Sequence, residues 1–423
     1  MMRRHVFETG AVALILAGMA AAGVWTVRVA CADWQSRAET VTGLERAIEL
    51  TPDQAEYYAR LAAAVSVDDP AKATKALEQA VALKPADARN LISLGLSYEA
   101  QGNSEKAESY LLQAARVDRQ YLPAWTLANF YLRRDNEAQF WHWAERSGAM
   151  VYGDPAPLFR LCGSWKEDGN LIDRLHLRRP EVRAAYLSYL LGQGRTDIIG
   201  AAVERVFELA RKEDVAVLLS ACDRLIGDNR VPAALRIWNR LAAAKQIPFR
   251  QIEPGGESLT NGTFATEPSS RGFDWRLRDV AGVSAFALEN GRGIRLTFSG
   301  KQPESCTPLV QFVPVETGGQ YEVRFTYGTS GIASGSGLCW RVFNANTDRV
   351  LAESQPFASD QDRLSQFRFS TPAGVGLVRL ELNYQRAAGT TRIEGLMTLR
   401  EVAVRAIAAT PGAPKSASVV LPR

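Results

Sequence analysis

The sequence predicts a multidomain chain that is helical first and β afterwards, preceded by an N-terminal transmembrane helix. Three observations support this fold class. An apolar run extends from Gly10 to Val27. Apolar residues then recur with helical spacing up to residue 248, and from Phe249 to Ile407 they alternate with a period of two. The first spacing is typical of the buried stripe of a helix and the second of the buried face of a strand.

The composition argues against several classes of function. The 423 residues include 50 Lys and Arg against 46 Asp and Glu, which gives a net charge of +4. Because contact with nucleic-acid phosphates needs a concentrated basic surface, we expect no nucleic-acid partner. The five cysteines, at positions 31, 162, 222, 306 and 339, lack the spacing of metal ligands, so neither a metal nor a cofactor is predicted.

Residues 1–33 are predicted to form a signal anchor. Arg3 and Arg4 precede the apolar run, whose roughly 18 residues would extend about 27 Å as a helix, close to the thickness of a bilayer core. Basic residues before the apolar run place the N-terminal end in the cytoplasm. We therefore expect a single-pass inner-membrane protein with its bulk in the periplasm. The alternative is a signal peptide cleaved after the small residues near Ala22 or Ala32, which would release a secreted protein.

Residues 34–149 carry a repeating helical pattern. Its signature is a large apolar residue, a Leu-Gly pair and an aromatic residue, followed by small residues around a leucine: Leu91, Leu94, Gly95, Tyr98, Ala107, Leu111 and Ala114. Similar positions recur about one period before and after. The segment resembles the tetratricopeptide repeat, which implies helical hairpins stacked into an α-solenoid. An ordinary helical bundle is the alternative interpretation.

Residues 150–248 are predicted to continue the stack as degenerate helical repeats. Segments 181–209 and 215–244 each contain two apolar-striped stretches around a turn with glycine. Together the repeats would form about five or six hairpins, and the concave face of such a stack normally binds a peptide or protein. We therefore expect a protein partner on that face.

Residues 249–407 are predicted to form an antiparallel β-sandwich. Segments of alternating apolar and polar residues lie between turns rich in Gly, Asn and Pro: 293–298, 309–315, 321–327, 338–343, 366–369, 377–384 and 398–404. No helix of useful length fits between them, which argues against a parallel α/β sheet. Residues 408–423, rich in Ala, Pro and Ser, are predicted to be a disordered tail.

The opening and closing segments of this β region resemble those of carbohydrate-binding modules with the galactose-binding-like jelly-roll fold. The opening reads Asn261-Gly262-Thr263-Phe264 and then Gly272-Phe273-Asp274-Trp275, and the closing strand is 398–404. The resemblance implies a glycan ligand. Arg400 replaces the first acid of the closing strand, which argues against the structural calcium site of that family.

Catalysis is not predicted. The only histidines are His5, His142 and His176. None lies in the β region, which excludes a Ser-His-Asp site and a histidine-ligated metal there. A carboxylate pair of the kind that glycosidases use is the alternative, and Glu322 and Glu381 lie on polar faces of predicted strands.

A glycan site is predicted on the β region. Trp275 and Trp340 are the best stacking platforms by residue type, although each also fits a core position. The polar faces of the strands carry five outward arginines: Arg295, Arg324, Arg341, Arg368 and Arg379. If the strands share a sheet, the arginines form a stripe of planar donors suited to an acidic polysaccharide. Otherwise they form a solvated surface with weak ion pairs.

Cys306 and Cys339 are a possible disulfide. Both lie in the β region, and export would place them in an oxidising compartment. Two buried thiols are the alternative.

The sequence therefore favours a non-catalytic envelope scaffold, whose repeats bind a partner protein and whose sandwich binds glycan or a second protein. The arrangement resembles repeat proteins with a carbohydrate-binding-like C-terminal domain found near bacterial exopolysaccharide export systems. That resemblance implies a role in exopolysaccharide assembly or export. A glycan-processing enzyme and a purely structural scaffold are the other classes left open.

Overall fold

The computed structural model describes the backbone of residues 2–165, 170–209, 211–288, 291–333, 335–358 and 360–407, and the side chains of those residues from 16 onwards. The chain divides into two compact units, 1–178 and 179–423. The predicted disordered tail, 408–423, lies outside the described residues. The change from helix to strand follows Ala243, near the predicted change at Pro248, whereas the division into units comes earlier in the chain.

The described part of the first unit is helical. Its helices are α1 Met2–Ser36, α2 Val41–Leu50, α3 Ala55–Val65, α4 Pro70–Leu83, α5 Ala88–Ala100, α6 Ser104–Val117, α7 Tyr121–Arg133, α8 Glu137–Met150, α9 Ala156–Trp165 and α10 Leu171–Arg174. Helices α3 and α4, α5 and α6, and α7 and α8 pack as pairs, and each pair packs against the next.

The second helix of each pair begins at a capping side chain. Asp69, Asn103 and Asn136 accept hydrogen bonds from backbone N–H groups in the first turns of α4, α6 and α8. Such caps satisfy N–H groups that have no partner within the helix. The caps recur about one 34-residue period apart, so the helix ends follow the same repeat as the apolar residues.

The contact between α5 and α6 explains why the repeat signature needs small residues. A Cβ atom on Gly95 would lie 2.8 Å from the Leu111 side chain, so only glycine lets the two helices approach this closely. The signature residues of this hairpin are all buried. The tetratricopeptide-like hairpins predicted from the spacing are confirmed.

Helix α1 continues past the predicted boundary at residue 33 and joins the helical stack. Ala32, near its C-terminal end, is buried against Ala47 and Tyr57. The side chains of residues 2–15 lie outside the described residues, and with them part of the predicted transmembrane run. Within the part of the chain that the structure describes, no helix combines the length and mean hydropathy needed to cross a bilayer.

The second unit begins with two helical hairpins at the positions predicted for degenerate repeats. They are α11 Pro180–Gly192, α12 Ile199–Phe207, α13 Val215–Gly227 and α14 Val231–Ala243, with a 3₁₀ turn at Lys212–Asp214. Helix α11 packs against α12, and α13 packs against α14.

The strands follow the helices. They are β1 Arg276–Leu277, β2 Val283–Ala287, β3 Ile294–Ser299, β4 Ser305–Pro314, β5 Gln320–Ser330, β6 Leu338–Asn344, β7 Val350–Glu353, β8 Arg363–Ser370, β9 Leu377–Gln385 and β10 Glu394–Ala406. They form two antiparallel five-stranded sheets, in the orders β1-β4-β9-β6-β7 and β2-β3-β10-β5-β8. The predicted antiparallel β-sandwich is confirmed.

The core lies between the sheets and follows the predicted alternation. On β5, Tyr321, Val323, Phe325 and Tyr327 are all buried in one apolar cluster, while Arg324 is exposed on the other side. Strands β1, β2 and β7 were missed by the sequence. All three are edge strands, and their short burial patterns lack a regular buried face.

Helices α13 and α14 pack directly on the sandwich. The Trp238 ring stacks on Phe249 and meets Phe273 edge-on. A Cβ atom on Gly272, whose φ is +54°, would lie 2.5 Å from that indole ring. The Asp223 carboxylate accepts hydrogen bonds from the Gly272 N–H (2.7 Å) and the Arg276 guanidinium (2.8 Å). This helical hairpin and the sandwich therefore form one packed body within the second unit.

Candidate functional site

Strand order divides the five predicted arginines between the two outer surfaces of the sandwich. Arg341 on β6 and Arg379 on β9 belong to one sheet, whose outer surface we call the front face. Arg295 on β3, Arg324 on β5 and Arg368 on β8 belong to the other, whose outer surface we call the back face. The single arginine stripe predicted from the sequence is therefore wrong, because the strands that carry it do not share a sheet.

The front face is a grid built by the register of β4, β9 and β6. On β9, Arg379 lies opposite Phe312 of β4 and Phe343 of β6. Glu381, two residues after Arg379, lies opposite Val310 and Arg341, and Asn383, two residues further on, lies opposite Cys339. Because side chains alternate along a strand, Arg379, Glu381 and Asn383 belong to the same surface. Acids, an amide and guanidinium groups are thus brought together beside two half-buried aromatic rings.

Arg379 is held from several sides. Its guanidinium pairs with Glu381 and donates to Asp348 at 2.9 Å. It also lies 5.3 Å from the centre of the Phe343 ring, within the range of a cation–π interaction. The Arg379 side chain is 19% exposed and that of Glu381 only 6%, so the pair is largely removed from water.

Arg341 anchors the neighbouring part of the grid. It donates to Glu353 of β7 at 2.7 Å and to the Asn383 side-chain oxygen at 3.0 Å. The hydrogen bond to Glu353 raises the pKa of Arg341 above its usual value. The Asn383 amide in turn donates to the Thr307 hydroxyl at 3.2 Å. These hydrogen bonds join Glu353, Arg341, Asn383 and Thr307 into one network across three strands.

The back face is more open. Arg368 pairs with Glu322 at 3.2 Å, and its side chain is 69% exposed. Arg324 is exposed and has no hydrogen-bond or ion-pair partner among the described residues. Arg324 and Arg405 border a shallow depression of about 310 Å³ beside Leu364. This surface offers exposed cations, whereas the front face offers a hydrogen-bonded network.

The tryptophans proposed as sugar platforms lie in the core. Trp275 and Trp340 are both 0% exposed. The Trp275 ring stacks on Phe264 at 5.2 Å, and its indole N–H donates to the Asn261 carbonyl at 3.1 Å. A sugar ring cannot reach a side chain enclosed in this way, so the prediction of Trp275 as a glycan contact is wrong.

The predicted disulfide is also wrong, and both cysteines are free thiols. Strand β9 lies between β4, which carries Cys306, and β6, which carries Cys339. Two strand spacings separate the thiols by about 10 Å, well beyond the reach of a disulfide. They also point to opposite sides: Cys306 packs on the core, and Cys339 lies opposite Asn383 of the front face.

The two carboxylates considered as a catalytic pair are also separated. Glu322 is on β5 and faces outwards from the back sheet, while Glu381 is on β9 and belongs to the front face. They therefore lie on opposite sides of the sandwich and cannot flank one glycosidic bond.

Sequence reasoning missed four members of the front face: Phe312, Phe343, Asp348 and Glu353. The two phenylalanines could have been found, because they share the strand alternation of Val310 and Arg341. Asp348 and Glu353 could not, since they follow from the turn after β6 and from the unpredicted edge strand β7.

Comparisons with known proteins returned structural similarities only. A scan against protein-family models and a search of curated proteins both found no match. Among solved structures, the chain is similar to MamA, with 21% identity and a TM-score of 0.24 over 25% of this chain and 64% of MamA, which is less than two thirds of that protein.

Two further solved structures are similar over larger shares of their own chains. One is YrrB, described as a tetratricopeptide repeat protein with an unusual peptide-binding site: 15% identity, TM-score 0.25, 49% of this chain and 94% of YrrB. The other is a carbohydrate-binding module described as CBM4: 11% identity, TM-score 0.29, 36% of this chain and 100% of that module. Each likeness is partial and concerns fold alone.

Proposed function

We propose that this protein is a non-catalytic scaffold whose sandwich binds a glycan on the front face and whose helical repeats bind a partner protein. The observation that carries the glycan part is the pair of partly exposed arginines on the front face, Arg341 and Arg379. The buried Asn383 and Glu381 hold them from below, and the rings of Phe312 and Phe343 lie beside them.

The chemistry of the grid suits a sugar. Hydroxyl groups are recognised by fixed planar donors and acceptors, and guanidinium groups also bind the carboxylates of acidic sugars in a bidentate manner. Because Arg341 and Arg379 are held by Glu353, Asn383, Glu381 and Asp348, ordering them on binding costs little entropy. The half-buried rings help to hold the arginines, because Arg276 lies 4.8 Å from the centre of the Phe312 ring and Arg379 lies 5.3 Å from that of Phe343.

The helical repeats support the second half of the proposal. Stacked hairpins that each contact only their neighbours present long continuous surfaces, which is the usual basis of partner binding by repeat proteins. Large apolar side chains are exposed in the first unit, among them Tyr152 at 76% and Leu122 at 48%.

We place the protein at the inner membrane with its bulk in the periplasm, in exopolysaccharide assembly or export. The described part of the apolar run supports an apolar environment for α1, since Leu16, Met19 and Val27 are each at least 60% exposed. The alternative, a secreted protein, requires cleavage near Ala22 or near Ala32, and a cut near Ala22 would leave the packing of Ala32 intact. A cut after Ala32 would remove a residue buried against Ala47 and Tyr57, so that cut is disfavoured relative to an intact anchor.

The location is tested by fractionation of cells that produce the full chain. We expect the protein in the membrane fraction after alkaline carbonate extraction, and intact mass spectrometry should find the N-terminal residues. Recovery of a shortened chain in the soluble periplasmic fraction would show the cleaved alternative instead.

The glycan site is tested by retention of the full chain on alginate and other acidic polysaccharides in affinity electrophoresis. Arg379→Gln and Arg341→Gln on the front face should each reduce retention at least tenfold, because each removes a guanidinium cation with its fork of N–H donors. Arg324→Gln, the matched change on the back face, should leave retention unchanged. Near-UV circular dichroism verifies that each variant is folded.

The outcomes separate the competing functions. Loss of retention only in Arg324→Gln would move the site to the back face, and no retention of the native chain on any glycan would leave a purely structural scaffold. Arg324→Ala combined with Arg379→Ala should reduce retention as far as Arg379→Ala alone, because only the front-face arginine contributes. Release of reducing sugar from a retained polysaccharide would show an enzyme.

A further inference from the structure

The second unit contains an apolar groove that the glycan-binding half of the proposed function does not use. It runs between α12 and α14, with a floor formed by Ile199, Val203, Phe207, Leu225 and Ile237, and it encloses about 270 Å³. Ile199, Val203 and Phe207 are spaced four residues apart, so the floor follows α12 for about 12 Å, or two helical turns. We call it the α12–α14 groove.

Arginines border the groove on the α14 side. Arg230, Arg236 and Arg240 line it, against one acid, Glu204, on α12. The Arg240 guanidinium lies 4.2 Å from the centre of the Phe207 ring and donates to Glu204 at 2.7 Å. Arg236 is exposed and has no hydrogen-bond or ion-pair partner among the described residues. The border therefore carries an excess of positive charge above an apolar floor.

At Gly200 no side chain borders the groove. A Cβ atom at this position would meet nothing within 4 Å, and Ala233 on the opposite side is also small. Small residues on both sides allow the backbone of a third helix to approach closely, at the separation of about 8–10 Å typical of packed helices. Within α12, glycine itself weakens the helix relative to other residues, so its presence here is not explained by helix stability.

We propose that the α12–α14 groove binds an acidic amphipathic helix of a partner protein. Apolar side chains one or two turns apart on that helix occupy the floor, and its Asp and Glu residues face Arg230, Arg236 and Arg240. The charge of the border selects the acidic partner, and the two-turn length of the floor selects a helix. This surface uses α12, α14 and Leu225 of α13 and no residue of the sandwich front face. It rests on the partner-binding half of the proposed function, whose partner it specifies, and it is independent of the glycan-binding half.

The test uses the full chain and a set of fluorescein-labelled helical peptides of about 16 residues, a length at which isolated helices begin to be stable. The peptides carry Leu, Phe or Met at positions i, i+4 and i+7 and Glu along one flank. Fluorescence anisotropy should show saturable binding below about 1 mM, and the same peptides with Lys in place of Glu should not bind.

Two substitutions examine the two halves of the groove without removing any described contact. Gly200→Leu fills the open wall, and Arg236→Glu reverses a border charge; each should weaken peptide binding at least tenfold. Gly192→Leu, at another open helical glycine, and Lys75→Glu, at an exposed lysine of α4, are the matched controls and should bind as the native chain does.

Several results would overturn the proposal. Equal binding of the acidic and basic peptides would show that the border does not select charge. Equal affinity of the native chain and Gly200→Leu would place the peptide elsewhere, and absence of binding by every peptide would remove the helix partner. Binding of dodecanoate that Gly200→Leu abolishes, without peptide binding, would show a small amphiphile site instead.

Discussion

The front and back faces of the sandwich carry the same kinds of residue in opposite environments. Both present arginines beside glutamates on alternating strand positions. On the front, Arg379 and Glu381 are 19% and 6% exposed and share fixed partners. On the back, Arg368 is 69% exposed and Arg324 has no partner among the described residues. The comparison teaches that an arginine pattern becomes a candidate site only where neighbouring strands immobilise it.

The largest effect is expected for Glu381→Ala. It leaves the Arg379 guanidinium partly buried without its nearest counter-charge, which should lower the free energy of unfolding by about 2–3 kcal/mol. Urea denaturation of the full chain, followed by tryptophan fluorescence, measures this change. The matched variant on the back face, Glu322→Ala, should cost less than about 0.5 kcal/mol because its partner Arg368 is mostly in water. Equal losses would mean that the two faces do not differ.

A smaller effect is expected for Arg341→Ala. The substitution removes two hydrogen bonds, to Glu353 and Asn383, while leaving Glu353 partly solvated. We expect a loss of about 1–2 kcal/mol by the same denaturation. Arg324→Ala on the back face is the control and should be neutral. A neutral Arg341→Ala would contradict the view that the front network is held tightly.

The buried thiol of Cys339 should make the stability of the protein depend on pH at alkaline pH. Burial raises the pKa of Cys339 to about 12 from 9.0. Because the folded value is higher, the stability that the protonated thiol contributes is complete below pH 9 and is lost as the pH rises towards 12. Without denaturant at pH 8, iodoacetamide should modify Cys31 and spare Cys339, as read by peptide mass spectrometry.

The same experiment checks the positions of the two cysteines of the sandwich. After denaturation without reductant, both Cys306 and Cys339 should become alkylated. A peptide pair linked through these residues would contradict the strand order β4-β9-β6.

The smallest effect is expected for Arg368→Ala on the back face. Its pair with Glu322 is an exposed cross-strand contact, so we expect a change within about 0.5 kcal/mol that disappears in high salt. Thermal unfolding in low and high salt measures it. A loss comparable to that of Arg341→Ala would show that exposure does not separate the faces.

The sequence was sufficient where the information is local. Gly95 and Leu111 mark the close approach of two helices at a fixed spacing, and the alternation of Tyr321, Val323 and Phe325 identifies a core face without any knowledge of neighbours. The folded repeats and the sandwich were predictable for this reason.

The candidate site could not be predicted from local sequence patterns. Whether Arg324 and Arg379 share a surface depends on strand order, which side-chain alternation does not determine. For the same reason, the sequence did not show that Trp275 is buried, or that β9 separates the strands of Cys306 and Cys339. Edge strand β7, which supplies Glu353, has no periodic pattern to detect.

The seam between Trp238 and Gly272 has a practical consequence for dissecting the chain. A fragment that starts at Phe249, where the composition changes, would lack the Trp238 indole that packs on Phe273 and the Asp223 carboxylate that pairs with Arg276. Such a fragment would present raw apolar surface at one end and would be prone to aggregate. A fragment that keeps these contacts retains the whole second unit, from Arg179 onwards, with both helical hairpins.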